Sequence, residues 1–403
     1  MRTYKDYGPR PPGLPLWEGI VDFGNRAGVQ QMLQLIGDAP LPPVVETAEE
    51  KFVGVTTGGL VVPDLFTLKD EGFDPRPAAI AARAYLSSLS EELRVRASSP
   101  IDSSDWQLWT NAFLTYPEHG LRLQDLEQGE RGAALQVMRS SLSSVGFDKV
   151  RGAMRLNGEL GEFLGEYLDS LTEWCYWFTI FGNPSEEGPW GWQLAGHHVD
   201  VHCLILGRQA VLTPTFLGAE FRSEQLFCQN RTAALEFVNS LDAAQRSRAV
   251  LYDSITSGDL PQHLAGAVDG RHRAGAGRDN VILPYEGLRA DQLGDHQQEL
   301  LLAMIEPHID LLPADCLSAR REQVAHHVAD SWVSWMGGTS TDDPFYYKVH
   351  SPVVLVEYDN HPGIFIGNDE PEPFHVHTIV RTPNGGDYGK NLLAQHYTQH
   401  HRA

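Results

Sequence analysis

Apolar side chains recur at helical spacing through the first half of the chain. Ala79, Ile80, Tyr85, Leu86, Leu89 and Leu93 predict one helix, and Trp106, Trp109, Ala112 and Phe113 a second. Leu135, Met138 and Leu142 mark a third, and Met154, Leu156 and Leu160 a fourth that begins after Gly146. Before them the first 75 residues are rich in proline and loop-like, with one amphipathic stretch through Val29, Met32, Leu33 and Ile36. Near residue 174 the period changes from 3.6 to 2. Residues 174–181, 190–206 and 210–217 alternate and are rich in aromatic and β-branched side chains, with breaks at Gly182-Asn183-Pro184, Gly188-Pro189 and Gly207. This predicts an antiparallel meander of at least three strands, with a hairpin turn near Gly207-Arg208. Helical spacing returns over 232–330, broken by a polar Gly/Arg loop from Gly270 to Asn280. The end reads as strand again over 332–335, 346–358 and 374–381, closed by a short helix over about 389–397. Strands grouped apart from helices predict an α+β fold, a helical N-terminal half packed on antiparallel β segments. No internal repeat is expected.

Two strings within the strands carry metal-ligand chemistry. In Gly196-His197-His198-Val199-Asp200-Val201-His202 the β-branched residues favour strand over helix, and the general-base Glu of a helical zincin pair is absent. On a strand, His198, Asp200 and His202 share one face while His197, Val199 and Val201 share the other. In Phe374-His375-Val376-His377-Thr378, the i, i+2 histidines suit adjacent positions on one cation. Between the strings, Glu357 ends the apolar run Val353-Val354-Leu355-Val356, where a carboxylate needs a partner or a metal. Imidazole and carboxylate without thiolate suit zinc, Fe(II), Mn, Co, Ni or Cu. Trp190 and Trp192 share a strand face that leads into the first string, which makes them candidates for a substrate-pocket wall. Arg381, at the end of the second string, is a candidate substrate contact. The loop Gly270-Arg271-His272-Arg273 can reach over such a site and meet an anionic substrate.

Composition narrows the partners. The chain has 403 residues and a net charge of −22, which argues against nucleic acid and anionic membrane surfaces. The expected partner is a small-molecule substrate, with self-association left open. Cys175, Cys203, Cys228 and Cys316 have no CxxC spacing and read as reduced, mostly buried thiols. The N-terminus has no apolar core of a signal peptide and no stretch reaches the ~20 apolar residues of a membrane span, so the expected location is the cytoplasm. Histidine is the unusual count: there are 17, seven of them after residue 349. No GxSxG elbow, Walker loop or strand–GxGxxG–helix fingerprint is present.

The chain also resembles a known family. Tyr176-Trp177, Phe181-Gly182-Asn183-Pro184, Trp190-Gly191-Trp192, Gly196-His197-His198, Thr213-Pro214-Thr215-Phe216-Leu217-Gly218-Ala219, Tyr346-Tyr347, Glu357-Tyr358-Asp359-Asn360, His375-Val376-His377-Thr378 and Asp387-Tyr388-Gly389 resemble, in order, the bacterial and fungal domain-of-unknown-function family numbered three thousand five hundred. The likeness spans about residues 100–398. It implies one main domain over 100–398, and the Pro-rich residues before it read as an extension over 1–99 with one or two helices. It also implies that the GHH string, the Glu357 strand and the HxH strand belong together. The family places small polar residues and Asn where this chain has Asp200 and His202. The resemblance therefore favours His198, Glu357 and His377 as ligands, with His375, His202 or Asp200 completing or orienting them. It implies no activity.

The leading expectation is an enzyme holding one divalent metal, zinc or Fe(II) first and Mn or Cu next, that activates water for hydrolase-type chemistry. His197 and Asp387 are the candidate general acid/base groups. A non-haem Fe(II) oxygenase with a two-His-one-carboxylate site is the first alternative. A non-catalytic ligand-binding module is the second, and a scaffold role the third.

Overall fold

The structure, a computed structural model, describes residues 2–9, 44–112, 118–165, 171–265 and 271–400. The amphipathic stretch Val29 to Ile36, Phe113 and Gly270 lie outside these residues. Thirteen strands are described: β1 Ser98–Ser99, β2 Leu121–Arg122, β3 Tyr176–Gly182, β4 Trp190–Gly196, β5 Val199–Leu206, β6 Gln209–Val211, β7 Thr215–Ala219, β8 Val250–Tyr252, β9 Leu288–Arg289, β10 Trp332–Gly337, β11 Phe345–His350, β12 Leu355–Asn360 and β13 Val376–Arg381. They form one sheet in the order β1-β3-β4-β5-β7-β13-β12-β11-β10-β8, with β2 on β3, β6 on β5 and β9 on β10. Pairing is antiparallel except at the two ends, where β1 runs parallel to β3 and β8 to β10. The class is α+β. The helices, however, come from both halves of the chain, 76–164 and 224–326, and pack the same sheet.

The two faces of the sheet differ in chemistry. Phe178, Ile180, Trp192, Leu194, Val201, Val356, Val376 and Val380 point to one face and join Met138, Val150, Met154, Leu301, Met304 and Ile305 of the helices in the main core. Each such side chain contributes roughly 1.5–3 kcal/mol by leaving water. The opposite face is polar yet equally buried. Register places Asp200, Phe216, Ile379, Glu357 and Lys348 in one row across five strands, and Gly218, His377, Asp359 and Tyr346 in the next. Loop segments cover this face, chiefly 271–283. A buried charge must be paired or hydrogen-bonded, and these are: Arg271 with Asp359, and Arg381 with Asp279 and Asp387.

Several element boundaries differ from the expected ones for local reasons. The first predicted helix is two, Arg76–Ser88 and Glu91–Arg96, because Leu89 is extended and Ser90 caps the second by accepting from Leu93 N at 3.2 Å. Trp106 lies on the single 3-10 turn Ser104–Gln107 and Trp109 beyond it, not on an α-helix. Trp106 stacks on Phe181 and Trp109 Nε1 donates to Tyr388 Oη at 2.9 Å. The fourth helix starts earlier, at Ser144, with Ser143 Oγ accepting from Gly146 N at 2.8 Å. The run 346–358 is two strands, and so is the run 190–206. The hairpin at Gly207-Arg208 is as expected, Gly207 taking φ +56° between β5 and β6.

An internal repeat, not expected from the sequence, runs through the fold. Residues 76–219 pass through helices Arg76–Ser88 and Glu91–Arg96, β1, β2, the 3-10 turn Leu123–Asp125, helices Gln128–Ser141 and Ser144–Leu164, then β3, β4, β5 and β7. Residues 224–381 repeat that order: helices Glu224–Ser240 and Ala243–Ala249, β8, β9, the 3-10 turn Ala290–Gln292, helices Asp295–Ile309 and Ala314–His326, then β10, β11, β12 and β13. The halves meet where β7 pairs with β13. Details recur too. Arg94 Nε donates to Leu86 O, and Arg246 Nη2 to Val238 O. Gly120 and Gly287 precede β2 and β9 with φ near +90°, each where a Cβ would strike a carbonyl of the neighbouring strand.

Candidate metal centre

His197 and His198 lie on no strand: they form the turn between β4 and β5. This corrects the expected strand placement of His198, while Asp200 and His202 do share one face of β5. His198 takes φ +64°, left-handed for a β-substituted residue, and is held by its N–H to Asn111 O at 3.1 Å and its carbonyl to Gly218 N at 2.8 Å. That conformation costs roughly 1–3 kcal/mol and is a mark of functional sites. His375 precedes β13 and His377 is its second residue. Their rings meet His198 above β7 at Gly218, where a Cβ would sit 3.1 Å from both the His198 and the His377 rings. Glycine is required there for space.

The three Nε2 atoms converge. His377 Nε2 is 3.0 Å from His375 Nε2 and 3.1 Å from His198 Nε2, and the three offer donor atoms within 4.8 Å of one another. All are buried. Imidazole nitrogens at 2.0–2.1 Å from one ion stand about 2.8–3.4 Å apart for angles between 90° and tetrahedral, so these spacings fit a shared cation. Proton accounting leads to the same place. His375 Nδ1 is 2.7 Å from Pro362 O, which only accepts, so the proton of the neutral ring is on Nδ1 and Nε2 presents a lone pair. Burial, followed by the neighbouring imidazoles, holds His198, His375 and His377 well below the usual imidazole range, so the rings are neutral at pH 7. A neutral His377 has at most one proton on Nε2. It cannot satisfy both neighbours, whereas a cation between the rings satisfies all three lone pairs. His197 stacks on His198 at 3.8 Å, and its Nδ1 donates to Asn157 Oδ1 at 2.6 Å, so it backs the ring of His198.

The remaining expected residues are placed elsewhere. Glu357 accepts from Arg273 N at 2.9 Å, Ala274 N at 2.9 Å and Tyr346 Oη at 2.6 Å, and is outside the cluster. His202 Nδ1 donates to Pro214 O at 2.7 Å and Nε2 accepts from Gln193 Nε2 at 2.9 Å, so neither ring nitrogen is left for a metal. Asp200 is buried in the row with Phe216 and Ala195, also outside the cluster. Trp190 and Trp192 lie on the face packed against the helices, the Trp190 indole N–H donating to Ser185 O of the β3–β4 loop and that of Trp192 to Ser141 Oγ of a helix. They are core residues and wall no part of the histidine site. Arg381 ties the covering loop to β13 through Ala274 O, Gly275 O, Asp279 and Asp387, with no surface open to a substrate. Asp387, pushed up to about 6 by burial against the pull of Arg381, accepts from Thr382 N at 2.7 Å. It belongs to that ion cluster and is not among the residues that contact the histidines.

A family model described as "Protein of unknown function (DUF3500)" matches residues 74–390. The chain belongs to this family. The DUF3500 match contains all three converging histidines and begins at residue 74, so it takes in helices Arg76–Ser88 and Glu91–Arg96 as well. No curated protein and no solved structure matches the chain. No helix among the described residues is long and apolar enough to cross a membrane.

Two further histidines lie beside the cluster, His361, which the sequence reading did not name, and His272, which it placed only within the covering loop. His361 stacks on His377 at 4.4 Å and shares Pro362 O with His375. His272 lies 5.9 Å from His377, ring to ring. The readable signal for His361 was its position directly after the β12 run, and for His272 its place in a loop already read as covering.

Proposed function

We propose that this protein is a metal-dependent enzyme in which His198, His375 and His377 hold one divalent ion, zinc in the first instance, for water-activating, hydrolase-type chemistry on a small organic substrate. The observation that carries the reading is the meeting of three neutral Nε2 atoms at 3.0 and 3.1 Å. Three protein ligands leave a position open, and a water there has its pKa lowered to ~7 on zinc. The chain's own part is to hold the three rings: the left-handed turn at His198, the carbonyl of Pro362 behind His375 and the glycine at 218 do this. The carboxylate that a two-His-one-carboxylate iron site needs is not in the cluster among the described residues, where Glu357 accepts from Arg273, Ala274 and Tyr346 instead. The donor set therefore favours water activation over the oxygenase alternative.

The test is metal content of untagged protein purified without chelator. Wild type is expected to carry close to one equivalent of a divalent metal, and His198→Ala and His377→Ala less than a tenth of that while still folded. A folded wild type that neither carries nor takes up a divalent metal contradicts the reading.

A further inference from the structure

His272 is buried beside the cluster with unused hydrogen-bonding capacity. It is 1% exposed, its ring stands at 70° to that of His377, and neither Nδ1 nor Nε2 has a hydrogen-bond partner among the described residues. Leaving such a group unpaired is unfavourable, yet the fold holds it there firmly. On one side Arg271 donates to Asp359 at 2.6 and 3.0 Å and to Asn360 O at 2.8 Å. On the other, Arg273 N and Ala274 N donate to Glu357. Asp359 and Glu357 sit two apart on β12 and share the polar face with His377. Two buried carboxylates thus clamp the backbone around an imidazole that finds no hydrogen-bond partner among the described residues.

The charge of the site indicates what meets it. Imidazole ligates a metal in its neutral form, so a divalent ion brings two positive charges into a buried place, and no carboxylate lies in the cluster among the described residues. An anionic ligand offsets that charge. We propose that His272 donates a hydrogen bond to a small carboxylate-bearing substrate taken at the open position of the ion held by His198, His375 and His377. This rests on the metal reading above. A carboxylate needs one oxygen on the ion and one on the imidazole N–H. A phosphate needs further donors for its remaining oxygens, whereas Arg271 Nε and Nη2 are taken by Asp359 and Asn360 O, and the amides of Arg273 and Ala274 by Glu357.

The experiment uses Co(II)-loaded full-length protein titrated with acetate, binding being followed in the visible cobalt spectrum. Wild type is expected to give a saturable change. His272→Phe, which keeps a ring and removes the N–H, is expected to keep its cobalt and weaken acetate at least tenfold. His272→Leu serves the same purpose should the Phe variant not fold, and His272→Asn, which retains an N–H, is expected to stay within about threefold of wild type. Unchanged acetate affinity in the Phe or Leu variant overturns the proposal, as does loss of cobalt, which would make His272 a ligand. Phosphate binding more tightly than acetate overturns the substrate class. Failure of wild type to take up cobalt is seen before acetate is added and overturns the metal reading itself.

Discussion

Lowering the pH of chelator-treated protein from 7.5 to 5 is expected to unfold it cooperatively near pH 5.5, with the uptake of several protons. The cause is the number of histidines buried in neutral form. Burial holds His197, His202, His308 and His350 down to about 3 and keeps His198, His375 and His377 well below the usual range. In the unfolded chain each titrates near 6.5. The unfolded state therefore binds more protons as the pH falls, so these groups' stabilising contribution is complete above the unfolded value and is lost progressively below it. At pH 5.5 each costs about 1.4 kcal/mol, and seven together cost about 10 kcal/mol, comparable to the whole stability of a typical protein. Asp387, raised to about 6, works in the opposite direction and offsets part of this. Circular dichroism melts at half-unit pH steps measure the effect. A melting temperature that moves by only a few degrees between pH 7.5 and 5.5 would sink this account of the buried histidines.

The second large effect is at Glu357. Its carboxylate is 0% exposed and accepts from two backbone amides and one phenol. Glu357→Ala strands those donors, and the loss of a buried, hydrogen-bonded charge typically costs about 3–5 kcal/mol. The expected result is a strong fall in the denaturation midpoint with metal stoichiometry retained under native conditions. Were Glu357 a ligand, the reverse would be seen, metal lost with stability little changed. Chemical denaturation paired with metal analysis on one preparation separates the two roles.

How much of this was legible in the sequence depended on whether the signal was local. The two histidine strings and the i, i+2 convergence of His375 and His377 follow from strand periodicity, and so do the α+β class and the Gly207 hairpin. The break at His197-His198 did not, because β-branched Val199 and Val201 continue the alternating pattern straight through a turn that is set by a left-handed φ. Glu357 was legible as a buried carboxylate needing a partner. That its partners are amides of a loop some eighty positions earlier is tertiary information. Trp190 and Trp192 illustrate the ambiguity of a strand buried on both faces, where alternation does not say which face meets the helices. The repeat was hidden because only short identities survive, Arg94-x-Arg96-Ala97 with Arg246-x-Arg248-Ala249 and Gly120-Leu121-Arg122 with Gly287-Leu288-Arg289, and their separations differ. The repeat also locates the site. His198 comes from one half and His375 and His377 from the other, so the cluster forms only where the halves join at β7 and β13.

X-ray absorption fine structure at the edge of the bound metal counts the imidazoles on the ion. Three imidazole nitrogens are expected at about 2.0–2.1 Å, with the remaining ligands oxygen, and two imidazoles in His375→Ala reconstituted with excess metal. A wild-type site with two or fewer imidazoles, or with an imidazole count that His375→Ala leaves unchanged, would contradict the three-imidazole site.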